Sequence, residues 1–312
     1  MKKLAFLLFL GLIHSMNLQA QQDPEYTQYM YNMSIVNPAY ATGDVGIVKA
    51  GLLYRSQWVG AVGAPKSATA FVHAPLNDKI EIGLSFINDE IGDGALNENN
   101  IGANFAYKLQ LSKKTYLSFG AKAGVTLFNT QFNDFILNSG NSSSDPAFAE
   151  NINDSFLNIG AGLYLYGDRF YVGLSAPNFL GNKHLTQQNG ISALGSENIH
   201  GFLTGGYIFE ISEKLDFKPS FMVKSVQGAP LSMDVNANVR YLENLEAGLS
   251  YRFDDSFSVL VNYGITKSLR IGYAYDYTTS NLGNFNSGTH EVILLLDMNF
   301  SGSKNYSSPR FF

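Results

Sequence analysis

From about residue 44 onward, hydrophobic and polar residues alternate with a period of two, which marks strands with two unlike faces. In 115–125, Thr115, Leu117, Phe119, Ala121, Ala123 and Val125 share one face, and Tyr116, Ser118, Gly120, Lys122 and Gly124 share the other. In 231–241, Met233, Val235, Ala237, Val239 and Tyr241 alternate with Asp234, Asn236, Asn238 and Arg240. The pattern predicts strands over 45–55, 65–75, 79–89, 98–111, 114–128, 155–166, 169–177, 199–211, 214–226, 230–242, 244–253, 256–265, 268–278 and 288–300. That makes about fourteen, all expected to pair as antiparallel hairpins.

Alternation alone fits a soluble sandwich as well as a membrane barrel. Two further features separate them. Every second predicted connection is a tight polar turn, as at 76–78, 112–113, 167–168, 212–213, 243 and 266–267. The others are variable and often long: 56–64, 90–97, 129–154, 178–198 and 279–287, with short exceptions near 227–229 and 254–255. Short turns at one end and long loops at the other are how outer-membrane barrels are built, with the short turns periplasmic. The polar face is also rich in Gly, Ser and Asn with scattered charges of both signs, which suits a sheltered lumen better than a solvated sheet face. The fold class expected is therefore all-β: a transmembrane antiparallel β-barrel with short periplasmic turns and long extracellular loops.

On this reading the charges that face inward are Glu81, Lys122, Lys218, Lys224, Asp234, Arg240, Arg252, Arg270, Asp276 and Glu291. Confining them there is informative, because Lys or Arg facing lipid at mid-depth costs ~2–4 kcal/mol. Aromatics near strand ends (Tyr54, Tyr107, Tyr166, Phe170, Phe209, Tyr241, Phe253, Tyr277 and Phe300) are expected to form interfacial girdles.

Composition agrees. Of the 312 residues only 15% are charged, while Gly (30), Phe (23) and Tyr (18) are abundant and the net charge is −5. Mild acidity argues against nucleic acid as a partner, and the absence of cysteine excludes disulfides and thiolate chemistry. Lys2 and Lys3 precede an apolar run from Leu4 to Ile13, and Ala20 ends a cleavage site, so residues 1–20 read as a signal peptide. With no cysteine after that site, a lipoprotein anchor is ruled out. The remaining layout is a periplasmic or lumenal segment at 21–44, the barrel at 45–300 and a periplasmic tail at 301–312.

Catalytic motifs are lacking. His290-Glu291 begins like a zincin helix, but position 294 is Leu and the stretch reads as strand. Neither Gly173-Leu174-Ser175 nor Gly248-Leu249-Ser250 completes a nucleophile elbow. No cofactor or metal is called for, and the chain reads as non-enzymatic. Two connections stand out as partner-contact loops. Residues 55–66 hold the sole Trp, with Arg55, Gln57, Trp58 and Lys66 as contact candidates; 129–154 contains Asp145, Pro146 and Phe148.

Several stretches resemble the PorP/SprF family of the Bacteroidetes type IX secretion system. They are Gln22-Asp23-Pro24-Glu25-Tyr26-Thr27-Gln28-Tyr29-Met30, then Asn37-Pro38-Ala39-Tyr40-Ala41 and Tyr54-Arg55-Ser56-Gln57-Trp58-Val59-Gly60. Further along are Asp145-Pro146-Ala147-Phe148, Gly228-Ala229-Pro230-Leu231-Ser232, Arg270 to Tyr277, Ser287 to Glu291 and Ser308-Pro309-Arg310-Phe311-Phe312. The resemblance covers essentially the whole exported chain. It implies an integral outer-membrane barrel that serves secretion or surface display of a partner adhesin, by holding the adhesin's C-terminal domain, and that is linked to gliding motility. It also implies contact with the translocon and periplasmic ring components. The alternative from another class is a diffusion channel or small-molecule transporter; a hydrolase at the rim is a distant third.

Overall fold

The computed structural model describes residues 25–41, 43, 45–132, 136–137, 140–141, 151–180, 199–226 and 229–300. Fourteen strands form one antiparallel sheet that closes on itself. In chain order they are β1 (Ile47–Ser56), β2 (Lys66–Pro75), β3 (Ile80–Ile91), β4 (Leu96–Gln110), β5 (Thr115–Thr130), β6 (Asn153–Gly167) and β7 (Phe170–Ala176). β8 (His200–Tyr207, continuing over Phe209–Ser212), β9 (Leu215–Val226), β10 (Ser232–Tyr241), β11 (Leu245–Arg252), β12 (Ser256–Gly264), β13 (Leu269–Thr278) and β14 (Thr289–Asn299) complete the wall. Each strand pairs with its sequence neighbours. β1 pairs with β14 from Ile47↔Asn299 to Ser56↔His290, so the sheet has no free edge. Closure is what lipid demands, since an unpaired backbone N–H or C=O in hydrocarbon costs several kcal/mol.

The two ends differ as the sequence pattern predicts. At one end the connections are 76–79, 111–114, 168–169, 213–214, 242–244 and 265–268. At the other lie 57–65, 131–152, 177–199 and 279–288, together with shorter links at 92–95, 227–231 and 253–255. By the general rule for such barrels the first end faces the periplasm and the second the outside.

One expected long loop, 90–97, is instead a tight turn. β3 and β4 run on to Ile91 and Leu96, and Gly92, Asp93 and Gly94 turn the chain with φ of 72°, 53° and 92°. At the external end of this hairpin Asn88 donates to Asn97 and Asn99, whose side chains add an amide ladder where hydrophobic alternation has ended. β4, β5 and β6 have 15, 16 and 15 residues. About 9–11 suffice to cross a membrane, so this sector stands proud of the external surface.

The outer face is apolar. Leu84, Leu157, Leu174, Leu249, Val259, Tyr273 and Val292 are exposed on it, while Ser85, Asn158, Ser175, Ser250, Ser258 and Glu291 lie buried inside. One girdle assignment is overturned. Tyr166 is 2% exposed, points inward and stacks on Tyr116, because it shares parity with the lumenal Tyr164. Replacing Leu249, at mid-strand on the lipid side, with Arg is expected to cost ~2–4 kcal/mol. Urea unfolding of the refolded barrel in lipid vesicles measures this, and an unchanged midpoint would contradict the assignment of faces.

Candidate functional site

The lumen is filled by the segment ahead of β1. Residues 25–41, here called the strap, contain one 3-10 turn (Tyr29–Tyr31) and a four-residue helix (Met33–Val36). Such short elements do not hold themselves together; the wall holds them. Starting at the periplasmic end, Gly43 N donates to Glu81 Oε2 (2.9 Å) and Tyr166 OH to Ala41 O (2.8 Å). At mid-depth, Asn37 Nδ2 donates to Leu163 O, Ser175 Oγ to Val36 O and Asn104 Nδ2 to Ser34 O. Nearer the outside, Asn236 Nδ2 donates to Tyr29 OH, and Thr27 N and Gln28 N donate to the two Glu291 carboxylate oxygens (3.0 and 2.8 Å). Ala39 is fully buried, as are Gln28 and Asn32.

Part of the glycine content has its cause here. A Cβ on Gly120 would lie 2.1 Å from Ala39 N, and one on Gly162 would lie 2.1 Å from Asn37 Oδ1. Any side chain at either position would push the strap off the wall.

At the external end the strap enters a buried network of charges. Arg55 Nη1 lies 3.0 Å from both Asp276 Oδ2 and Glu291 Oε2. Thr27 Oγ1 donates to Asp276 and accepts from Arg55 (3.1 Å). Arg252 pairs with Asp234 (2.8 Å) and with Glu25 Oε2 (2.9 Å), while Lys224 Nζ reaches Glu25 Oε1 (3.0 Å). Burial alone would raise the Glu25 carboxyl, but Arg252 and Lys224 outweigh it and hold the group down at about 2. Burial also raises the phenols of Tyr26 and Tyr29, which stay neutral and hydrogen-bonded.

Towards the periplasm Lys218 pairs with Glu246 (2.8 Å) and sits 5.7 Å from the Tyr31 ring centroid, and His73 Nδ1 meets Glu81 (2.5 Å). Arg240 pairs with Asp216 (2.7 Å), and Arg270 donates to Asn262 and to Glu243 O. Space remains beside the strap. Below it is a cavity of about 630 Å³ with Tyr31, Met33 and Tyr40 in its ceiling. Beside Glu25, Lys122 and Lys224 only about 70 Å³ is left.

Of the ten charges expected in the lumen, Glu81, Lys218, Lys224, Asp234, Arg252, Asp276 and Glu291 are buried, while Lys122, Arg240 and Arg270 line the cavities beside the strap. Of the loop candidates, Arg55 is corrected: it is 3% exposed and sits in the lumen, not in a loop. β1 runs one residue further than expected, to Ser56, and Arg55 has the inward parity of Gly51 and Leu53. Gln57 and Trp58 do lie in the 57–65 loop, where Gln57 N donates to Pro65 O and Trp58, at φ 48°, donates its N–H to Thr289 Oγ1. Lys66 opens β2, exposed, 3.9 Å from both Glu90 and Asp93. Asp145, Pro146 and Phe148 lie outside the described residues.

The period-two pattern also carries Glu246 and His73, which share a face with Arg252 and with Thr69. Glu25, Thr27 and Gln28 had no such signal, because the strap has no periodicity.

The profile described as "Type IX secretion system membrane protein PorP/SprF" matches residues 18–296, nearly the whole chain. The chain belongs to the PorP/SprF family. As a PorP/SprF protein with a closed β-barrel wall, it is an outer-membrane protein of that secretion system. Solved structures similar to it include the outer membrane protein Omp33 of Acinetobacter baumannii, at 9% identity and TM-score 0.46, covering 82% of this chain and 100% of that one. A FadL homologue of Pseudomonas aeruginosa is 10% identical, with TM-score 0.45 and coverage of 89% and 95%. The P. putida toluene transporter TodX is 12% identical, with TM-score 0.48 and coverage of 86% and 94%. No curated protein matches this PorP/SprF chain.

Two outcomes follow from the charge network. Arg55→Met leaves Asp276 and Glu291 buried without their cation, a loss of ~3–5 kcal/mol. Adding D276N and E291Q removes the uncompensated charge, so the triple variant should unfold at higher urea than the single one. Glu25 works with a depressed folded-state value, so its contribution is complete above its ordinary 4.5 and is lost as pH falls towards about 2. Hydrogen-exchange protection of the Thr27 and Gln28 amides should fall across that window; constant protection would sink the assignment.

Proposed function

We propose that this chain is a non-enzymatic docking barrel: it receives a secreted adhesin by its C-terminal domain at the external end and keeps it at the cell surface. The observation that carries this reading is an external platform set over a lumen that residues 25–41 cross. Loop 57–65 is stitched to the 279–288 loop by Val59 N donating to Gly288 O (2.8 Å) and Ser287 N to Val59 O (2.7 Å), and to the 92–95 turn by Gly92 N donating to Gly63 O (2.9 Å). On this braced surface Val62 is 99% exposed and Phe285 75%, with Leu282, three residues before Phe285, also exposed. Apolar tips held on hydrogen-bonded loops suit capture of a folded domain, because little loop entropy is lost on binding.

A lumen crossed by the strap also weighs against a permanently open diffusion pore. A link to gliding motility belongs to the same reading, through the adhesin displayed. The periplasmic cavity, rimmed by the Lys114–Asp168 and Arg169–Glu210 pairs, offers a polar face to the secretion machinery below.

In cells, a V62D/F285D variant should reach the outer membrane in normal amount yet lose surface display of the secreted adhesin. Whole-cell immunolabelling against total barrel content measures both. Normal display by this variant and by a strain lacking the gene would overturn the reading.

A further inference from the structure

The strap contacts the wall as a bound peptide contacts its receptor. It has no core of its own, and its main-chain groups are read by wall side chains: Asn104, Ser175 and Tyr166 donate to its carbonyls, and Glu291 accepts from its amides. Its two ends are held differently. At the periplasmic end the chain continues covalently into β1 at Ile47. At the external end of the described segment Glu25 lies between Lys224 (3.0 Å) and Arg252 (2.9 Å). Lys224 and Arg252 are nearly buried, whereas the Glu25 side chain keeps 19% of its surface open.

We propose that the lumen is a peptide-binding site whose resident ligand is residues 25–41, and that Lys224 and Arg252 form its carboxylate pocket, open to an incoming acidic polypeptide segment that displaces Glu25 and unseats the strap. The class of ligand follows from the pocket. At the external mouth Arg252 keeps Asp234 (2.8 Å) and Asp255 (3.5 Å) when Glu25 leaves, so it is Lys224 that loses its carboxylate there, and a replacing segment must bring one. Tethering gives the resident segment an effective concentration in the millimolar range, so a competitor must offer either tighter contacts or avidity from a second site. Removing the strap opens a fourteen-stranded bore, between the filled eight-stranded barrels and the sixteen-stranded channels in width.

The test is conductance of the purified full chain in a planar bilayer. The intact protein should be silent. A variant lacking 25–41, checked for folding by heat-shifted gel mobility, should show steady openings. Synthetic peptide 25–41 added on the long-loop side should block them, and the same peptide carrying Gln in place of Glu25 should need about tenfold more, as expected for one charge-assisted contact. A folded deletion variant that stays closed, or one that conducts but ignores the peptide, would overturn the proposal. In case the deletion variant fails to fold, Glu25→Lys in the full chain sets a third cation beside Lys224 and Arg252 and should give brief openings; silence there counts against it.

The native chain has no cysteine, so E25C is a unique thiol. A membrane-impermeant maleimide should label it on intact cells while leaving D78C, in a periplasmic turn, unlabelled. Labelling of the second but not the first would reverse the orientation on which the pocket depends.

Discussion

Lipid offers no hydrogen bonds, and the rest of this molecule follows from that. A strand exposed to hydrocarbon must satisfy every N–H and C=O through its neighbours, so the sheet has to close. The β1–β14 pairing does this over ten residue pairs. Once closed, each residue of every strand faces either lipid or lumen, and side-chain chemistry separates accordingly: Leu, Val and Tyr outside; Ser, Asn, Gly and nearly all the strand charges inside. The inside then has a problem of its own. A wall of fourteen strands is too wide for its side chains to meet across the axis, and the strap fills much of the space they leave.

The charges that line the lumen are better understood as fixing register and position than as adding stability. A buried ion pair recovers little more than its desolvation cost, but leaving one partner alone is expensive. Arg55, Asp276, Glu291 and Thr27 come from three strands and the strap, and only one placement of Thr27 satisfies all of them. The same logic holds for Glu25 between Lys224 and Arg252. The network thereby selects one seating of a segment that has no hydrophobic periodicity to select it.

This accounts for what the sequence could and could not reveal. Wall strands were legible because a two-residue period is local and repeats along each strand. The inward parity of Lys218, Asp234 and Glu291 was readable from their neighbours alone. Arg55 was misplaced because a Trp-Gly-Pro loop follows at once, and only the pairing Arg55↔Glu291 shows that the ladder continues past it. The 92–95 turn hid among polar residues, since Asn88, Asn97 and Asn99 bond to one another and extend the hairpin without an apolar face. The strap's position was not legible at all. Its partners lie as far as 264 residues away in sequence, and hydrogen bonds from backbone to distant side chains leave no pattern in either segment. The glycines opposite it, Gly120 and Gly162, were visible as a small-residue face, but only the bound strap explains why nothing larger fits.

The strap's geometry also constrains how a lumen like this can change state. Its periplasmic end runs into β1 at Ile47, which fixes that end to the wall. Its mid-section is held by neutral hydrogen bonds, from Asn37 to Leu163 O and from Ser175 and Asn104 to Val36 O and Ser34 O, each modest in net worth because water competes for the same groups. The external end carries the charged contacts, which are shorter-ranged in effect once water enters and the dielectric rises. Disruption that starts at Glu25 admits water to the next contacts, Thr27 and Gln28 on Glu291, and weakens them in turn. Disruption that starts at Gly43 meets the Glu81–His73 pair beside a covalent tether and has nothing to release. The order of the contacts, and not their sum, makes the outer mouth the end at which this barrel responds.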